Sequence, residues 1–284
     1  MGIRVGFHVS IAGGIANSVD NAKKIGCTAF QIFSRNPRGW AAKPLKSDDV
    51  LLFKKKLASS GIDRRDVIVH MPYLPNLSGP DGEFYNKSVE TLAGEMQRCN
   101  ALDIPYLVIH LGSHMGKGQA SGIDQLVKAI ETASTKTREE GPMVLLENNA
   151  GQKNSVGGSF EELRTILDRL DDPKRFGVCL DTCHLFASGY DLRKKSDVDK
   201  TLEKFDTVVG LRNLKFIHLN DSKGALGSNL DRHEHIGLGM IGEEGLSAFL
   251  NHRAIRDLPV IMETPIDEKR GDKQNLKIVL GMVK

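Results

Sequence analysis

Residues 177–190 read GVCLDTCHLFASGY, an apolar run that ends in two potential metal ligands. The run itself, residues 178–180, is bounded by glycine and predicts a short buried strand. Asp181 and His184 follow it, and buried ionisable groups are costly unless they are paired or bind a metal. The structural alternative is that Asp181 caps a helix and that His184 is a hydrogen-bonded core histidine. A single short motif favours this alternative, so the choice depends on whether the pattern recurs.

A short apolar strand followed by a helix recurs eight times along the chain. The predicted strands cover residues 4–10, 29–34, 66–70, 106–110, 143–147, 178–180, 215–218 and 259–263. The predicted helices cover residues 15–25, 47–60, 84–102, 122–138, 198–211, 243–250 and 273–283, and one more begins at Ser159. We expect Ser47 to cap its helix and Ser159 to form a capping box with Glu162.

The continuously apolar strands predict a parallel sheet that is buried on both faces. Eight strand–helix units in 284 residues predict a (β/α)8 TIM barrel, an α/β fold with its active site at the C-terminal ends of the strands. A doubly wound open sheet is the alternative fold. We favour the barrel because ligand-type residues end six successive strands, and a barrel brings the strand ends to one rim.

The composition is that of an ordinary globular protein. The chain is 40% hydrophobic and 26% charged, and its regular spacing predicts one catalytic domain over residues 1–284. The net charge of +3 is modest, so a nucleic-acid surface must come from local clustering. No apolar run is long enough for a membrane helix, and the N-terminus predicts no secretory signal. The scattered cysteines predict a cytoplasmic protein with reduced thiols, and Cys179 and Cys183 are alternative thiolate ligands beside Asp181.

Carboxylates and imidazoles stand where six successive predicted strands end. In chain order they are His70, His110, Glu147, Asp181, His218 and Glu263. Nearby loops add His184, Asp231 and His233. Because parallel strand ends of a barrel face the same side, we expect these side chains to converge on one pocket. One strand-end histidine is more often structural, but six ionisable strand ends in succession have no packing explanation.

This residue set predicts a cluster of metal ions. Histidine and carboxylate ligands without thiolate suit zinc, manganese or iron better than calcium. Five histidines and four carboxylates exceed the ligands of one zinc ion, so we expect two or three ions with a bridging carboxylate. Paired ions promote phosphoryl substitution. Sugar isomerases with the same barrel also use carboxylates and histidine on a divalent metal, so both reactions stay open at this point.

Basic and aromatic residues in the loops help to separate the two reactions. The loop after the second strand holds Arg35, Arg38 and Trp40, and the loop after the third holds Tyr73 and Leu74. Basic side chains contact phosphates, and aromatic or apolar ones can wedge into a base stack. Each alone is an ordinary surface residue, but together they suit a DNA backbone better than a small sugar. The later loops add Lys117, Lys153, Lys223 and Arg232.

Three long motifs carry a resemblance to a known family. They are GVCLDTCHLFASGY at 177–190, HLNDSK at 218–223 and DRHEHIG at 231–237. Shorter matches, FHVSIAGG, HMPYLPNL, HLGSH, LLENNAG and METP, extend the similarity in order along nearly the whole chain. The sequence closely resembles endonuclease IV, a family of zinc-dependent abasic-site endonucleases. The resemblance implies a TIM barrel that holds three Zn²⁺ ions, with Mn²⁺ as an alternative occupant of one position.

The resemblance also implies a role for each matched side chain. Arg38, Tyr73 and Leu74 are implied to enter the DNA at the lesion. Nine side chains are implied to hold the zinc ions. The first ion is held by His70 and His110, and Glu147 bridges it to the second ion. The second ion is also held by Asp181, His218 and Glu263, and the third is held by His184, Asp231 and His233.

The implied activity is base excision repair of double-stranded DNA. The family hydrolyses the phosphodiester bond 5′ to an abasic site through a multi-zinc hydroxide mechanism, leaving a 3′-hydroxyl and a 5′-deoxyribose phosphate. Glu147 is the catalytic residue that we expect to matter most, because losing a bridge disturbs two ions. The family suggests a monomer with additional 3′-end trimming activity. The alternatives are a metal-dependent sugar isomerase or epimerase on the same barrel, and a lesion-binding protein that does not cleave.

The sequence departs from the family pattern at three places. Leu111 follows His110 where proline is expected, and Pro75 is an extra proline. His235 is close enough along the chain to compete with His233 for the third zinc, although the Asp-x-His spacing favours His233. None of these departures changes a matched ligand.

Overall fold

The computed structural model describes residues 2–137 and 141–284 and contains a closed barrel of eight parallel strands. The strands described are β1 (Val5–His8), β2 (Ala29–Phe33), β3 (Val67–His70), β4 (Tyr106–Ile109), β5 (Met143–Glu147), β6 (Phe176–Asp181), β7 (Leu214–His218), β8 (Asp221–Ser222), β9 (His233–Glu234) and β10 (Val260–Met262). The order around the barrel is β1, β10, β7, β6, β5, β4, β3, β2, and β1 also pairs with β2. The predicted TIM barrel is confirmed, and the open sheet is excluded because the pairing of β1 with both β10 and β2 closes the ring.

Helices connect the strands around the outside of the barrel. They are α1 (Asn17–Ile25), α2 (Ser47–Ser60), α3 (Glu83–Leu102), α4 (Gln119–Thr135), α5 (Phe160–Leu170), α6 (Thr182–Ala187), α7 (Lys195–Val208), α8 (Gly242–Leu250) and α9 (Asp272–Met282). The predicted helices agree with these apart from a few residues at their ends. The helix predicted over residues 122–138 runs to Arg138, which lies outside the described residues, and α4 ends at Thr135.

One of the two predicted helix caps is wrong, and the predicted capping box is incomplete. Ser47 is the first residue of α2 rather than its cap, and no described side chain caps that helix. Ser159 caps α5 as predicted, because its hydroxyl accepts from the backbone N–H of Glu162 at 3.2 Å. The Glu162 carboxylate, however, accepts from the N–H groups of residues 157 and 158, at 2.6 and 3.1 Å, and the capping box is therefore incomplete.

An apolar layer made up of strand residues fills the barrel interior. It consists of Ala29, Ile68, Val108, Leu145, Cys179, Phe216 and Ile261. Side chains alternate between the two faces of a strand, so a residue two positions later points to the same side. Two positions beyond these seven residues stand Gln31, His70, His110, Glu147, Asp181, His218 and Glu263. The strand pleat therefore stacks a polar layer on the apolar one, at the C-terminal end of the barrel.

Two small elements near this polar layer extend the sequence prediction. Helix α6 begins directly after Asp181, which turns the end of β6 into the start of a helix. Strands β8 and β9 form an antiparallel hairpin between β7 and α8, and this hairpin carries His233. Among residues 2–137 and 141–284, no helix combines the length and the apolar character needed to cross a bilayer.

Candidate metal centre

The nine candidate ligands lie together at the C-terminal end of the barrel. The ligand atoms form four groups, each with all of its atoms within 4.8 Å of one another; three groups consist of these nine residues alone, and the fourth joins Asp181 and His233 with Cys183. The first three groups match the three sets that the sequence resemblance implies. The first set is His70, His110 and Glu147; the second is Glu147, Asp181, His218 and Glu263; and the third is His184, Asp231 and His233.

Glu147 belongs to two of these sets because its two oxygens face different histidines. Its Oε2 atom lies 3.3 Å from Nε2 of His70 and 3.1 Å from Nε2 of His110. Its Oε1 atom lies 3.0 Å from Nδ1 of His218 and 3.5 Å from Nδ1 of His184. Burial would raise the pKa of Glu147, but His218 and His110 hold the pKa well below its usual range. The carboxylate is therefore ionised and connects the first and second sets.

Three histidines are held by carbonyl groups on the side away from the centre. Nδ1 of His70 lies 2.6 Å from the carbonyl oxygen of the next residue, and Nδ1 of His184 lies 2.9 Å from that of Asn148. Nδ1 of His233 lies 3.0 Å from the carbonyl oxygen of Glu263. Because a carbonyl oxygen only accepts, each Nδ1 donates, which leaves Nε2 as the nitrogen that faces the centre. Metal-binding histidines usually have such a second partner.

One nitrogen of the third set tests whether these residues fit a metal. Nε2 of His233 is buried and has no hydrogen-bond partner among the described residues. The nearest carboxylate oxygens, on Asp181 and Asp231, are each 3.6 Å away. A buried polar atom without a partner is unusual, and a cation between the imidazole and the carboxylates would satisfy it. The histidine and carboxylate donors are those that zinc prefers, so the residues fit the ion.

Asp181 both caps a helix and faces the candidate metal centre. Its Oδ1 atom accepts from the backbone N–H of His184 at 2.8 Å and caps α6. Its Oδ2 atom accepts from the side chain of Asn220 at 2.6 Å and faces Nε2 of His233. Helix capping is therefore compatible with a place in the centre, where Asp181 lies close to the second set and also to His233 of the third.

The charged side chains of the third set shift one another's pKa values. Burial lowers the pKa of His184, but Asp181, Asp231 and Glu147 outweigh this and raise the pKa to about 10. Burial raises the pKa of Asp231, but His184 and His233 lower it below the usual value. The carboxylates therefore favour a positive charge on this imidazole, which either a proton or a metal ion can supply.

Two neighbouring residues, Cys183 and His235, are alternative ligands by their sequence positions. The Cys183 side chain lies near Asp181 and His233, but burial raises the pKa of its thiol to about 12, and it stays protonated at neutral pH. His235 points away from the centre: Nε2 lies 2.8 Å from Asp267 and Nδ1 lies 3.0 Å from the Asn275 amide. The geometry excludes His235 from the third set, in agreement with the Asp-x-His spacing.

The centre opens into a surface pocket beside Tyr73. The Tyr73 side chain is 57% exposed, and its ring packs edge-on against Phe33 at 5.0 Å. Arg38 is exposed on a neighbouring loop, and Leu74 is half-buried and does not line the pocket. The pocket is lined by His70, Tyr73, His110, His184, Asp231, Arg232, His233 and Glu263. Of the three predicted DNA contacts, Tyr73 therefore lies at the opening itself.

Arg35 does not belong to the exposed basic surface for which it was predicted. Its guanidinium forms an ion pair with buried Glu95, with Nε and Oε1 3.1 Å apart, and it donates to the Thr91 hydroxyl at 3.2 Å. Trp40 from the same loop packs edge-on against Phe84 at 5.1 Å. These two residues therefore attach the loop to α3. Among the other predicted basic residues, those that are exposed are Lys117, Lys153, Lys223 and Arg232.

Sequence reasoning missed three buried amides that contact the sets. Asn148 accepts from the backbone N–H of Asp181 at 2.7 Å, and Asn220 donates to the Asp181 carboxylate. Gln31 lies between His218 and Glu263. Asn148 and Asn220 follow strand ends closely, so their positions in LLENN and HLND were a usable signal. Gln31 lies within the apolar run AFQIF, where only the strand pleat distinguishes it.

Comparisons with known proteins give the family. A family model described as xylose isomerase-like TIM barrel matches residues 19–281. The chain is 55% identical over 275 residues to a probable endonuclease 4 of Cenarchaeum symbiosum, covering 97% of this chain and 98% of the relative. It is similar to the crystal structure of endonuclease IV from Thermus thermophilus, with a TM-score of 0.86 and 37% identity over 98% of each chain.

A more distant likeness separates fold from activity. A D-tagatose 3-epimerase-like protein has a TM-score of 0.75 at 16% identity, covering 99% of this chain and 97% of its own, which shows a shared barrel alone. The matches at 55% and 37% identity, by contrast, run over nearly the full length. The chain therefore belongs to the endonuclease 4 family of xylose isomerase-like TIM barrels.

Proposed function

We propose that this protein is a DNA repair endonuclease that hydrolyses the phosphodiester bond 5′ to abasic sites in double-stranded DNA. The observation that carries the proposal is the set of three adjoining ligand groups, two of which share Glu147. Relatives named endonuclease 4 and endonuclease IV support it. The products would be a 3′-hydroxyl and a 5′-deoxyribose phosphate.

We infer that the three sets hold three zinc ions, with Mn²⁺ as an alternative at one position. The donors are imidazole and carboxylate, which suit zinc, manganese or iron. Bound zinc supplies positive charge that lowers the pKa of water to about 7 and neutralises charge on a phosphate. Glu147 keeps the first and second sets at a fixed separation because each of its oxygens faces a different set.

The side chains around the opening would hold the DNA. Burial and the carboxylates of Glu263 and Glu147 raise the pKa of Tyr73 to about 12, so its phenol is neutral at physiological pH. A neutral exposed ring can stack on a sugar or base, and its hydroxyl can donate to a phosphate. Arg38 lies close enough to influence Tyr73, and its positive charge suits a DNA backbone. We infer that Arg38, Tyr73 and Leu74 contact the lesion.

The proposal includes four properties of the whole protein. We infer that residues 1–284 form one catalytic domain, since the barrel strands run from Val5 to Met262 and α9 follows directly. We infer a monomer that also trims blocked 3′ ends, from the family resemblance. The free, buried cysteines support a reducing compartment such as the cytoplasm.

The test is incision of a duplex oligonucleotide with one tetrahydrofuran abasic analogue, without added magnesium, alongside metal analysis of the same preparation. The expected result is a cut 5′ to the analogue and about three zinc ions per chain. A tetrahydrofuran site does not undergo β-elimination, so a lyase would give no product. A fully zinc-loaded protein that leaves the duplex intact would contradict the proposal.

Two outcomes would point to the alternative functions. Tight binding of the lesion duplex without incision by the zinc-loaded protein would indicate a lesion-binding protein. Turnover of a ketose in the presence of manganese or cobalt, without incision, would indicate a sugar epimerase. The fold alone allows the epimerase, but the exposed Tyr73 and basic loop residues favour DNA.

A further inference from the structure

Gln31 occupies the polar layer in which six other barrel strands carry candidate metal ligands. It stands on β2 two residues beyond Ala29, just as Glu147 stands on β5 two residues beyond Leu145. Its side chain is completely buried, with 0% exposure. A buried amide is costly unless its hydrogen bonds are made, so its partners indicate what it does.

Three hydrogen bonds connect Gln31 to two residues of the second set and to His8. Its amide nitrogen donates to Oε1 of Glu263 at 2.6 Å and lies 2.9 Å from Nδ1 of His8. Its amide oxygen lies 2.9 Å from Nε2 of His218. Among the described residues, no other uncharged side chain hydrogen-bonds to the side chains of both Glu263 and His218.

The chemistry of these partners fixes the direction of every bond. A carboxylate only accepts, so the amide nitrogen of Gln31 must face Glu263 and its oxygen must face His218. Nε2 of His218 then donates its proton to the amide oxygen. The other imidazole nitrogen, Nδ1, lies 3.0 Å from Glu147 Oε1 and donates to that carboxylate in the absence of metal. A metal that displaces this proton would take the Nδ1 lone pair, while Nε2 keeps its proton on Gln31.

We propose that Gln31 is a positioning residue that fixes the His218 tautomer and the direction of the Glu263 carboxylate for metal binding in the second set. This inference rests on the proposed metal centre. Partners of this kind around known metal sites typically change metal affinity by about 10–100-fold when removed. The effect should fall on one ion, because the hydrogen bonds of Gln31 to candidate ligands reach the second set, at His218 and Glu263.

The test compares Gln31→Met with wild-type protein. Methionine keeps the length and the buried volume of glutamine but makes none of the three hydrogen bonds. Ser18→Ala is the matched control, because Ser18 is also 0% exposed and its hydroxyl donates to Ile15 on the outer side of the barrel. Metal-free samples of the three proteins are titrated with zinc in competition with a chromophoric chelator, and their thermal unfolding is recorded.

The expected result is that Gln31→Met binds one zinc about 10–100-fold more weakly than wild-type and the other two with unchanged affinity. Ser18→Ala should bind all three as wild-type does. Three wild-type affinities in Gln31→Met, or an equal loss at all three sites, would overturn the inference. If wild-type protein itself binds no zinc, the proposed metal centre fails, and that result is distinct from a failure of Gln31.

A measurement on wild-type protein avoids any question of folding in the variant. Nitrogen-15 NMR of labelled imidazoles reports which ring nitrogen carries the proton. In the zinc-loaded protein, His218 should be protonated at Nε2, with Nδ1 free of a proton. A His218 proton on Nδ1 would overturn the proposed direction of the Gln31 hydrogen bonds.

Discussion

At the scale of single residues, Glu147 links the ligand sets through its two oxygens. Oε2 faces His70 and His110 of the first set, and Oε1 faces His218 of the second. The side chain is buried, so water cannot readily replace it. A change at this position therefore affects two sets at once, whereas a change at His110 or Asp231 affects one.

Glu147→Gln tests this role directly. The amide keeps the shape of the carboxylate but removes the negative charge between the histidines, so we expect zinc content to fall and incision to drop by at least about 100-fold. Glu203→Gln is the control, because Glu203 is exposed on α7 and distant in sequence from the sets. Metal analysis and single-turnover incision are the measurements. Wild-type turnover in Glu147→Gln would exclude the bridging role.

A second residue-scale prediction concerns a thiol away from the centre. Burial raises the pKa of Cys27 to about 12, whereas a thiol in an unfolded chain ionises near about 8.5. The folded chain therefore retains a proton that the unfolded chain loses. Its contribution to stability is complete below about pH 8.5 and is lost as the pH rises toward 12.

Urea unfolding of wild-type and Cys27→Ala measures this effect. Between about pH 9 and about pH 10.5, the free energy of unfolding of wild-type should fall more steeply than that of the variant, by about 1.4 kcal/mol per pH unit. The cavity left by the substitution shifts the variant by a constant and does not change the slope. Parallel pH dependences of the two proteins would contradict a raised Cys27 pKa.

At the scale of elements, the loop between β2 and α2, residues 34–46, is attached to α3 by a buried charge network. The Ser34 hydroxyl donates to Glu95 at 2.5 Å and accepts from Arg98 at 2.7 Å. Arg98 also donates to the carbonyl oxygen of Lys43 at 3.0 Å, and Glu95 pairs with Arg35. This network fixes both ends of the loop that carries Arg38. The loop is therefore anchored before DNA binds.

Glu95→Gln removes the charge at the middle of this network. Two partly buried guanidinium groups then lose their counter-charge, and we expect a loss of about 3–5 kcal/mol in the free energy of unfolding. Binding of an abasic duplex should weaken while zinc content stays unchanged, because the contacts of Glu95 lie in the loop network and not in the three sets.

Glu90→Gln on the same helix is the matched control. Glu90 forms an exposed ion pair with Lys136, so its loss should cost less than about 1 kcal/mol. Urea unfolding and fluorescence anisotropy with a labelled duplex separate the two variants. Equal stability losses in Glu95→Gln and Glu90→Gln would contradict the anchoring role of the buried network.

The elements also show where sequence reasoning ends. The hairpin of β8 and β9 has two residues in each strand, too few for a recognisable pattern, and Asp221 stabilises it by accepting from backbone N–H groups at residues 239 and 241. Those contacts join residues about twenty positions apart, so only the folded chain shows them. The loop contact of Arg35 was mispredicted for the same reason, since its partner Glu95 lies on a later helix.

At the scale of the whole molecule, the strand pleat explains how much the sequence could predict. Apolar runs identify the strands, and the pleat sends alternate residues to the interior. Six ionisable residues at strand ends were therefore predicted to converge, and they do. Gln31 occupies the equivalent position on β2, but an uncharged amide inside an apolar run gives no signal of its own. Gln31 is identified by its position in the strand register, and the amino-acid composition of the run does not reveal it.

The concentration of charge in one layer makes the whole protein sensitive to metal removal. Without metal, protons must balance the carboxylates, as the raised pKa of His184, about 10, indicates. We expect prolonged chelation to abolish incision and to lower the thermal unfolding midpoint, with faster loss at lower pH because protonated histidines do not bind metal.

Readdition of zinc is the control for this prediction. At about pH 7.5 it should release protons from the metal-free protein, since ligands must be deprotonated to bind, and a pH indicator dye can count them. Incision and the unfolding midpoint should both return. A midpoint that chelation leaves unchanged, in protein shown to be free of metal, would mean that the centre does not contribute to stability.

In the proposed centre, the three adjoining sets of side chains hold three zinc ions. Anomalous X-ray diffraction at the zinc absorption edge, from crystals of the zinc-loaded protein, locates these ions. We expect three anomalous peaks, one in each set, at about 2.0–2.2 Å from imidazole nitrogens and carboxylate oxygens, with Glu147 between the first and second peaks. A single peak, or peaks that lie outside these nine side chains, would contradict the proposed centre.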